Sequence, residues 1–534
     1  MNEKQEKMAS VLERLQEAGG LLEGVSREVS ENTKVPEAHV FGVGSFFHLL
    51  SDPEFKVRVC QGLTCRLAGS KELLNYAKEA GLPATGCSCL AACDKPISVL
   101  KDRHMLPNMT LKDIDRSQGR WEELESEHSG GWNAHIGPLD KGPEELANRL
   151  HLPARHDGLS FQRALSLGPG AVLNIVEESG LQGRGGAAFP AAIKWRAIRA
   201  EAETTRYVVL NADEAEPGTF TDREVMIRRP DTVLEGLAIA AVTVGAEHVY
   251  CYLRGEFDRP WRALTEAIAE VERLDLYPGI KFHMHAGHGA YICGEETALL
   301  EALEGKRGMP RLRPPYPTQE GLWGKPTLVH NVESIACVPA ILEHGGAWFR
   351  NLGRTEPGTK LYSISGHVQR PGVYELPLGV SLDELVEAAG GYVGTLKAFS
   401  PGGASSGFLP ASERNRPLGF KTLGEVGSML GSAGVVVLND TVNMVWAARQ
   451  QLKFFEVESC GQCAPCRIGS RFLREQVDRF LNEEDSEQSA AHLAQVADVA
   501  WQMNEGSICG LGQTAPLPLT SAMRWFPEEF EHER

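Results

Sequence analysis

The chain has 534 residues, too many for one compact core, so three or four domains are expected. Its 42% apolar and 23% charged residues are an ordinary globular composition and argue against a fibrous or disordered protein. Against 54 Lys and Arg stand 71 Asp and Glu, a net charge of −17 spread along the chain. That balance disfavours nucleic acid or an anionic membrane as main partner, because both need a basic footprint.

Behind the opening MNEKQEK there is no apolar run of the kind a secretory signal needs, and no stretch approaches the ~20 apolar residues of a spanning helix. A cytoplasmic location without membrane insertion is expected. The 12 cysteines are too dilute for a disulfide scaffold, and they cluster, which in that compartment points to metal or redox chemistry.

Residues 1–52 read as a helical segment, with apolar residues at three- and four-residue spacing in MASVLERLQEAGGLLEGVSREV. Residues 53–130 form a first domain. In it FKVRVC alternates as a strand, SKELLNYAKEAG predicts a helix closed by Gly81, and ISVLKD a further strand. Residues 131–165 are polar, with Gly, His and Pro, and read as a linker. From 166 to 350, YVVLNA and HVYCYLR suit buried strands with helices between them, an α/β layer with parallel strands. Residues 355–430 read as a small α+β insert with a capped helix at SLDELVEAAGG; after GVVVLND, residues 441–534 read as helical.

ESCGQCAPCR supplies Cys460, Cys463 and Cys466, and Cys509 follows far down the chain. Three thiolates on one tight loop with a distant fourth is the spacing of a [4Fe–4S] site, with structural zinc as the alternative. Cys60 with Cys65 and Cys89 with Cys93 are two short pairs on separate loops, suited to a [2Fe–2S] cluster or again to zinc. Cys87, two residues before Cys89, leaves the third ligand open. Cys251, Cys293 and Cys337 read as small buried hydrophobes.

Between the two sets, Gly183, Arg184, Gly185 and Gly186 begin a G-x-G-x-x-A run whose backbone suits a phosphate, although the segment before it looks helical and not like a strand. Asn211, Asp213, Glu214 and Glu216 follow the strand YVVL, where open α/β sheets bind ligands. Tyr291, Gly294, Glu295 and Glu296 open a later helix, with Lys306, Arg307, Arg311 and Arg313 in the loop after it. Each of these carboxylates has a second reading, as a helix-start acid set against the macrodipole. HMHAGHG, with His283, His285 and His288, reads as strand alternation before it reads as a metal cluster. A nucleotide loop between two cluster motifs suggests a flavin linking hydride and one-electron chemistry.

GRGGAAFPAAIKW, NADEAEPGTFTDR, AYICGEETALLEALEGKRG, GLWGKPTLVHNVES and ESCGQCAPCR together resemble the NADH-binding flavoprotein subunit of respiratory complex I and its soluble diaphorase relatives. VFGVGSFFHLL and CLAAC with PISVL resemble the thioredoxin-like [2Fe–2S] partner of that subunit, fused in front. The resemblance implies an α/β multidomain fold: a thioredoxin-like [2Fe–2S] domain, a Rossmann-like FMN domain, a ubiquitin-like (SLBB-type) insert and a C-terminal helical bundle bearing a [4Fe–4S] cluster. It implies that Gly183, Arg184, Gly185, Gly186 and Lys194 hold the FMN phosphate, and that Asn211, Asp213, Tyr291, Gly294 and Asn331 contact FMN. Glu214, Glu295, Glu296 and Arg313 would form the NADH pocket, with Glu214 and Glu295 catalytic and Phe189 and Tyr316 as stacking rings. Ala215, His330 and Arg313 depart from the family's usual Ser, Asn and Lys; Arg313 keeps the charge, while Ala215 and His330 leave a non-catalytic metal-binding scaffold as a competing class.

FKTLGEVGSMLGSAGVVVL, KFFEVESCGQC and the front fusion look most like the β subunit of a molybdenum or tungsten formate dehydrogenase. That implies a hetero-oligomer with a pterin-bearing catalytic chain. The hydrogenase diaphorase and the complex I flavoprotein subunit are the alternatives.

Overall fold

The computed structural model of the chain describes residues 3–127, 133–142, 144–483 and 491–531. Three short amphipathic helices come first: α1 (Glu3–Glu17), α2 (Val25–Thr33) and α3 (Glu37–Gly44). A four-stranded sheet follows, of β1 (Val57–Cys60), β2 (Ala84–Cys87), β3 (Val99–Lys101) and β4 (His104–Leu106) in the order β2-β1-β3-β4. Helices α4 (Leu63–Leu67) and α5 (Ser70–Glu79) lie between β1 and β2, and Gly81, at φ 82°, turns the chain after α5 as its sequence predicts.

The central layer is a parallel sheet of β6 (Tyr207–Ala212), β7 (His248–Leu253), β8 (Lys281–Ala286) and β9 (Thr327–Asn331), in the order β8-β7-β6-β9. Its helices are α6 (Pro169–Ser179), α7 (Ala191–Ala200), α8 (Thr221–Arg228), α9 (Pro230–Val244), α10 (Glu296–Leu303) and α11 (Val332–His344). Successive residues of a strand point to opposite faces, so a sheet buried on both sides reads as a continuous apolar run. In β6, Val208, Leu210 and Ala212 share a core with α9 and α11. Tyr207 and Val209 share another core with α10, with Val11, Leu12 and Leu15 of α1, and with the C-terminal helices. The N-terminal helices therefore complete the second face of the central sheet.

The insert is a mixed sheet of β10 (Thr359–Gly366), β11 (Gly372–Pro377), β12 (Leu396–Ser400), β13 (Leu409–Pro410) and β14 (Gly434–Asn439), with α12 (Leu382–Ala388) closed by a Ser381–Glu384 capping box. Its sixth strand is β5 (His135–Gly137), which pairs in parallel with β11. The segment read as a linker thus carries an edge strand; its residues 131, 132 and 143, with 128–130 of the domain before it, lie outside the described residues. Just after it, the backbone N–H groups of Ala147, Asn148 and Arg149 all donate to the buried Glu375 carboxylate of β11, at 2.7, 2.8 and 2.9 Å, fastening the polar stretch to the insert.

The last region is helical: α13 (Met444–Glu458), α14 (Ala464–Asn482), α15 (Val496–Gly506), α16 (Gly510–Thr514) and α17 (Leu517–Trp525). Among the described residues no helix is long and apolar enough to cross a membrane.

Candidate functional site

A cavity of about 440 Å³ opens where β6 and β9 end. Its walls are Arg184, Gly185 and Gly186 of the glycine loop, Asn211, Asp213 and Glu214 after β6, Tyr291, Gly294 and Glu295 before α10, and Asn331 at the end of β9. The glycine run, the acids after the strand and the Tyr291–Glu295 turn, far apart in sequence, thus meet in one place. The remaining wall is foreign to the sheet: Ser405, Gly431 and Ser432 of the insert, and Gly510, Leu511, Gln513 and Thr514 directly behind Cys509.

The loop is shaped by contacts only glycine permits. Gly186 sits at φ 122°, a conformation that strains any L side chain, and faces Gly431. A Cβ on Gly185 would come within 3.0 Å of Asn331. The turn is closed by Gly183 N–H donating to Phe189 O at 2.9 Å, and the chain then enters α7 with no side-chain cap on its N-terminus. Loop and helix end together suit an anionic phosphate.

Asp213 is a cavity residue in need of a partner. Its Oδ2 is buried without a hydrogen bond, and burial pushes its carboxyl well above the usual carboxylate range. Asn211 donates from Nδ2 to Gly294 O at 2.8 Å and so ties the end of β6 to the turn before α10. Tyr291 OH donates to Glu216, whose carboxylate also accepts Ser405 N–H at 2.7 Å. Glu216 lines the cavity as its place after β6 predicts, whereas Asp222, Ser405 and Ser432 are cavity residues that spacing did not single out; only the insert's fold brings Ser405 and Ser432 there.

Two of the predicted acids act first as helix caps. Glu214, almost fully buried, accepts Asp222 N–H at 2.7 Å and Arg223 N–H at 2.9 Å at the start of α8. Glu295 accepts Thr297 and Ala298 N–H, both at 2.9 Å, on Oε2, which leaves Oε1 toward Arg313 at 4.0 Å. The helix-start reading of these carboxylates is therefore correct, and in Glu295 one oxygen remains for other work. Asn331 is likewise the N-cap of α11, accepting Ser334 N–H at 3.1 Å, and donates to Asp222 at 2.6 Å.

Arg184 departs from expectation. Its guanidinium donates from Nη2 to Pro357 O at 2.7 Å and lies 5.7 Å from the Phe349 ring, while Nε and Nη1 are buried without a partner. His330, where the family has Asn, is buried; it accepts Trp195 Nε1–H at 2.6 Å, and burial lowers its pKa to about 3, leaving it neutral.

Outside the cavity lies a charged cluster. Lys194 pairs with Glu296 at 2.7 Å and stands 6.0 Å over the half-exposed Phe189 ring; Arg313 is 3.6 Å from Glu296. Tyr316 is 52% exposed on the loop beyond Arg313.

The N-terminal thiols are buried together. Cys89 and Cys93 Sγ atoms are 3.6 Å apart, close to the ~3.8 Å that two thiolates take on one tetrahedral metal. Hydrogen bonds from Cys60 and Cys93 hold Cys89 well below the usual thiol range, while those to Cys65 and Cys89 raise Cys60. Cys89, not Cys87, thus joins Cys60, Cys65 and Cys93. The segment is latched to the central layer: Arg223 of α8 donates to Asp94 at 3.0 Å and to Ala91 O at 2.8 Å, and Arg254 to Cys89 O at 2.8 Å.

At the other end, burial raises Cys466 to about 12 and Cys509 to about 11, with neighbouring thiols of the set adding to each shift. A Cβ on Gly512 would lie 2.8 Å from Cys466 Cβ, so the Cys509 turn presses on α14. Cys460 and Cys463 stand half-buried on the loop between α13 and α14. Four clustered thiols, partly open to solvent, fit a cluster of iron and sulfide.

Comparison with known proteins follows the same division. Residues 176–340 match the Nuo51 FMN-binding domain, 446–533 the NADH-ubiquinone oxidoreductase-F iron-sulfur binding region, 361–409 the SLBB domain and 1–117 the thioredoxin-like [2Fe-2S] ferredoxin. An NADH-quinone oxidoreductase F-type subunit of Rhizobium meliloti (strain 1021) is 44% identical over 397 residues, 71% of this chain and 94% of that protein. The F-type subunit of the same oxidoreductase in Streptomyces coelicolor is 42% identical over 400 residues, 73% of this chain and 88% of that one. A chain in the crystal structure of an NAD+-reducing [NiFe]-hydrogenase in the air-oxidized state superposes with a TM-score of 0.87 at 31% identity, covering 100% of this chain and 96% of its own.

Proposed function

The chain belongs to the family of F-type NADH-quinone oxidoreductase subunits, and from that premise we propose that it is the NADH-oxidising subunit of a hetero-oligomer whose catalytic partner is a pterin-bearing formate dehydrogenase chain. It is an NADH dehydrogenase flavoprotein with FMN, a [4Fe–4S] and a [2Fe–2S] cluster. Bound flavin supplies the exchange between a hydride and single electrons.

The observation that carries the reading is the shared wall. The cavity bounded by Gly185, Asp213 and Tyr291 is closed on one side by Gly510–Thr514, directly behind Cys509. Asp213, Ala215 and Tyr291 also border a second cavity that reaches Cys89. Both thiol sets thus abut the same site from different directions. In this reading the backbone of Gly183, Arg184, Gly185 and Gly186, with the start of α7, holds the flavin phosphate. Asp213, with its unpaired oxygen, would hold the flavin, helped by Asn211, Tyr291, Gly294 and Asn331. Glu295 Oε1, Glu296, Lys194 and Arg313 form the charged mouth that orients NADH, and Phe189 and Tyr316 are the rings at that mouth. Glu214 shapes the pocket floor by fixing α8.

The formate assignment rests on FKTLGEVGSMLGSAGVVVL, KFFEVESCGQC and the front fusion. A second reading, the diaphorase of an NAD-reducing hydrogenase, is favoured by the likeness over the full chain to the NAD+-reducing [NiFe]-hydrogenase. Two measurements test these levels separately. Anaerobically purified protein should contain one FMN and about six irons and reduce ferricyanide with NADH; zinc without flavin overturns the enzyme reading. Affinity purification from the native host should recover a pterin-bearing subunit. A nickel–iron subunit establishes the second reading, and membrane subunits overturn both.

A further inference from the structure

The second cavity holds more than a passage between domains. It has a volume of about 610 Å³, within the roughly 300–1,000 Å³ of small-ligand pockets, and lies where α4, α5, α13 and the ends of β6 and β7 meet. Its buried back wall has matched charges: Arg254 pairs with Glu256 at 3.1 Å, and Glu458 accepts Tyr291 N–H at 2.9 Å and Ser88 Oγ–H.

Toward solvent the wall is cationic. Arg66 of α4 and Lys71 of α5 line one side, and Arg449 and Lys453, one turn apart on α13, line the other. Arg449 is spoken for by Asp478. Lys71 and Lys453 make no ion pair among the described residues. Burial, with Arg449, Arg66 and Arg474 nearby, lowers Lys453 despite Glu456. Like charges from two domains facing across a seam repel, a cost that a counter-anion between them removes.

Two buried donors lack any partner here: Arg66 Nε, and the side-chain amide nitrogen of Gln450, a residue only 7% exposed that lines the cavity between Arg449 and Lys453. A cavity with crowded cations and two orphaned donors is a built receptor for an anion with several acceptor oxygens.

We propose that this seam is a binding site for a phosphate-bearing anion, separate from the flavin cavity, held by Arg66, Lys71, Gln450 and Lys453. The volume admits a diphosphate or a small nucleotide. The site bridges the front domain and the helical domain, so its occupation tightens the docking of the Cys60–Cys93 segment against α13. It does not depend on which catalytic chain is the partner.

The test is calorimetric titration of the FMN- and cluster-loaded full chain with pyrophosphate and, in a second arm, adenosine diphosphate, with sodium chloride at equal ionic strength as the blank. Saturable binding above the blank is expected. Lys453→Gln and Lys71→Gln, neither of which breaks an ion pair among the described residues, should each weaken pyrophosphate binding several-fold. Arg66→Gln should weaken it by about tenfold, the loss of a charge-assisted contact. Arg273→Gln, exposed and outside the lining of the cavity, should change nothing. Tighter binding of adenosine diphosphate, weakened by the same substitutions, identifies a nucleotide; equal or weaker binding identifies the phosphate alone. No binding above chloride, or binding untouched by Lys453→Gln and Lys71→Gln, overturns the proposal.

Discussion

Gly186 and Glu235 show two ways a single residue is committed by the fold. At φ 122° Gly186 holds a backbone that an L residue strains to adopt. Gly186→Ala should cost about 1–2 kcal/mol locally and reshape the loop that faces Gly431. The expected outcome is loss of bound FMN by absorbance with iron content unchanged; full flavin retention would show that the loop tolerates the side chain. Glu235 is a buried acid in α9 that accepts Phe161 N–H at 3.0 Å, and burial raises its pKa from 4.5 to about 7. Between those values the folded chain holds a proton that the unfolded chain has released. Stability therefore falls as pH rises from about 4.5 to about 7, by about 3 kcal/mol in all. Glu235→Gln keeps an acceptor for Phe161 and removes the titration. Its melting temperature, followed across that window, should lack the decline seen in the parent; parallel curves would refute the assignment.

At the scale of elements, α8 joins the front domain to the central layer. Its first turn is capped by Glu214, and its Arg223 reaches Asp94 and Ala91 beside the Cys89–Cys93 pair. Both Arg223 and Asp94 are nearly inaccessible; Arg223 also pairs with Glu224, but the ion pair of Asp94 among the described residues is with Arg223, so removing Arg223 leaves a buried unpaired carboxylate, at about 3–5 kcal/mol. Arg223→Met should lower the melting temperature and loosen the [2Fe–2S] segment, seen as faster loss of its iron to a chelator. Arg223→Met with Asp94→Leu should recover part of the loss, and the double-mutant cycle measures the coupling. Additive effects would mean that the pair does not act as a latch. Such contacts were not legible in the chain. TFTDREVMIRR reads as an ordinary polar helix start, and nothing local says that Arg223 points at residues more than a hundred positions earlier. Strand β5 escaped for a different reason: three residues, His135–Gly137, are too few to show a period of two. Glu214 and Glu295 were legible in both their readings, because a carboxylate at a helix start looks the same whether it serves the helix or a ligand.

On the scale of the whole molecule, what spacing made visible was every segment that must carry its own chemistry: both cysteine sets, the glycine loop and the acids after β6. What it hid was how separate segments close on one another. The apolar stripe of α1 says that one face is buried, but not that Val11, Leu12 and Leu15 cover the second face of the central sheet. Nor does SICGLGQ say that the turn behind Cys509 walls the cavity of the glycine loop. That closure has a consequence for how the parts can be separated. Cys463 stands half-buried on the outer loop between α13 and α14 and borders no part of the cavity, whereas Gly510–Thr514 do. Cys463→Ser should therefore remove about four irons while leaving the cavity walls in place. NADH should still bleach the flavin, and electron delivery to the partner chain should be lost. Cys93→Ser, in the set behind Asp213 and Ala215, should remove about two irons and leave both bleaching and delivery. Stopped-flow absorbance with iron analysis of the two variants reads these outcomes directly. If Cys463→Ser abolishes bleaching, the cavity and the C-terminal set are one structural unit, and the two functions cannot be separated at that cysteine.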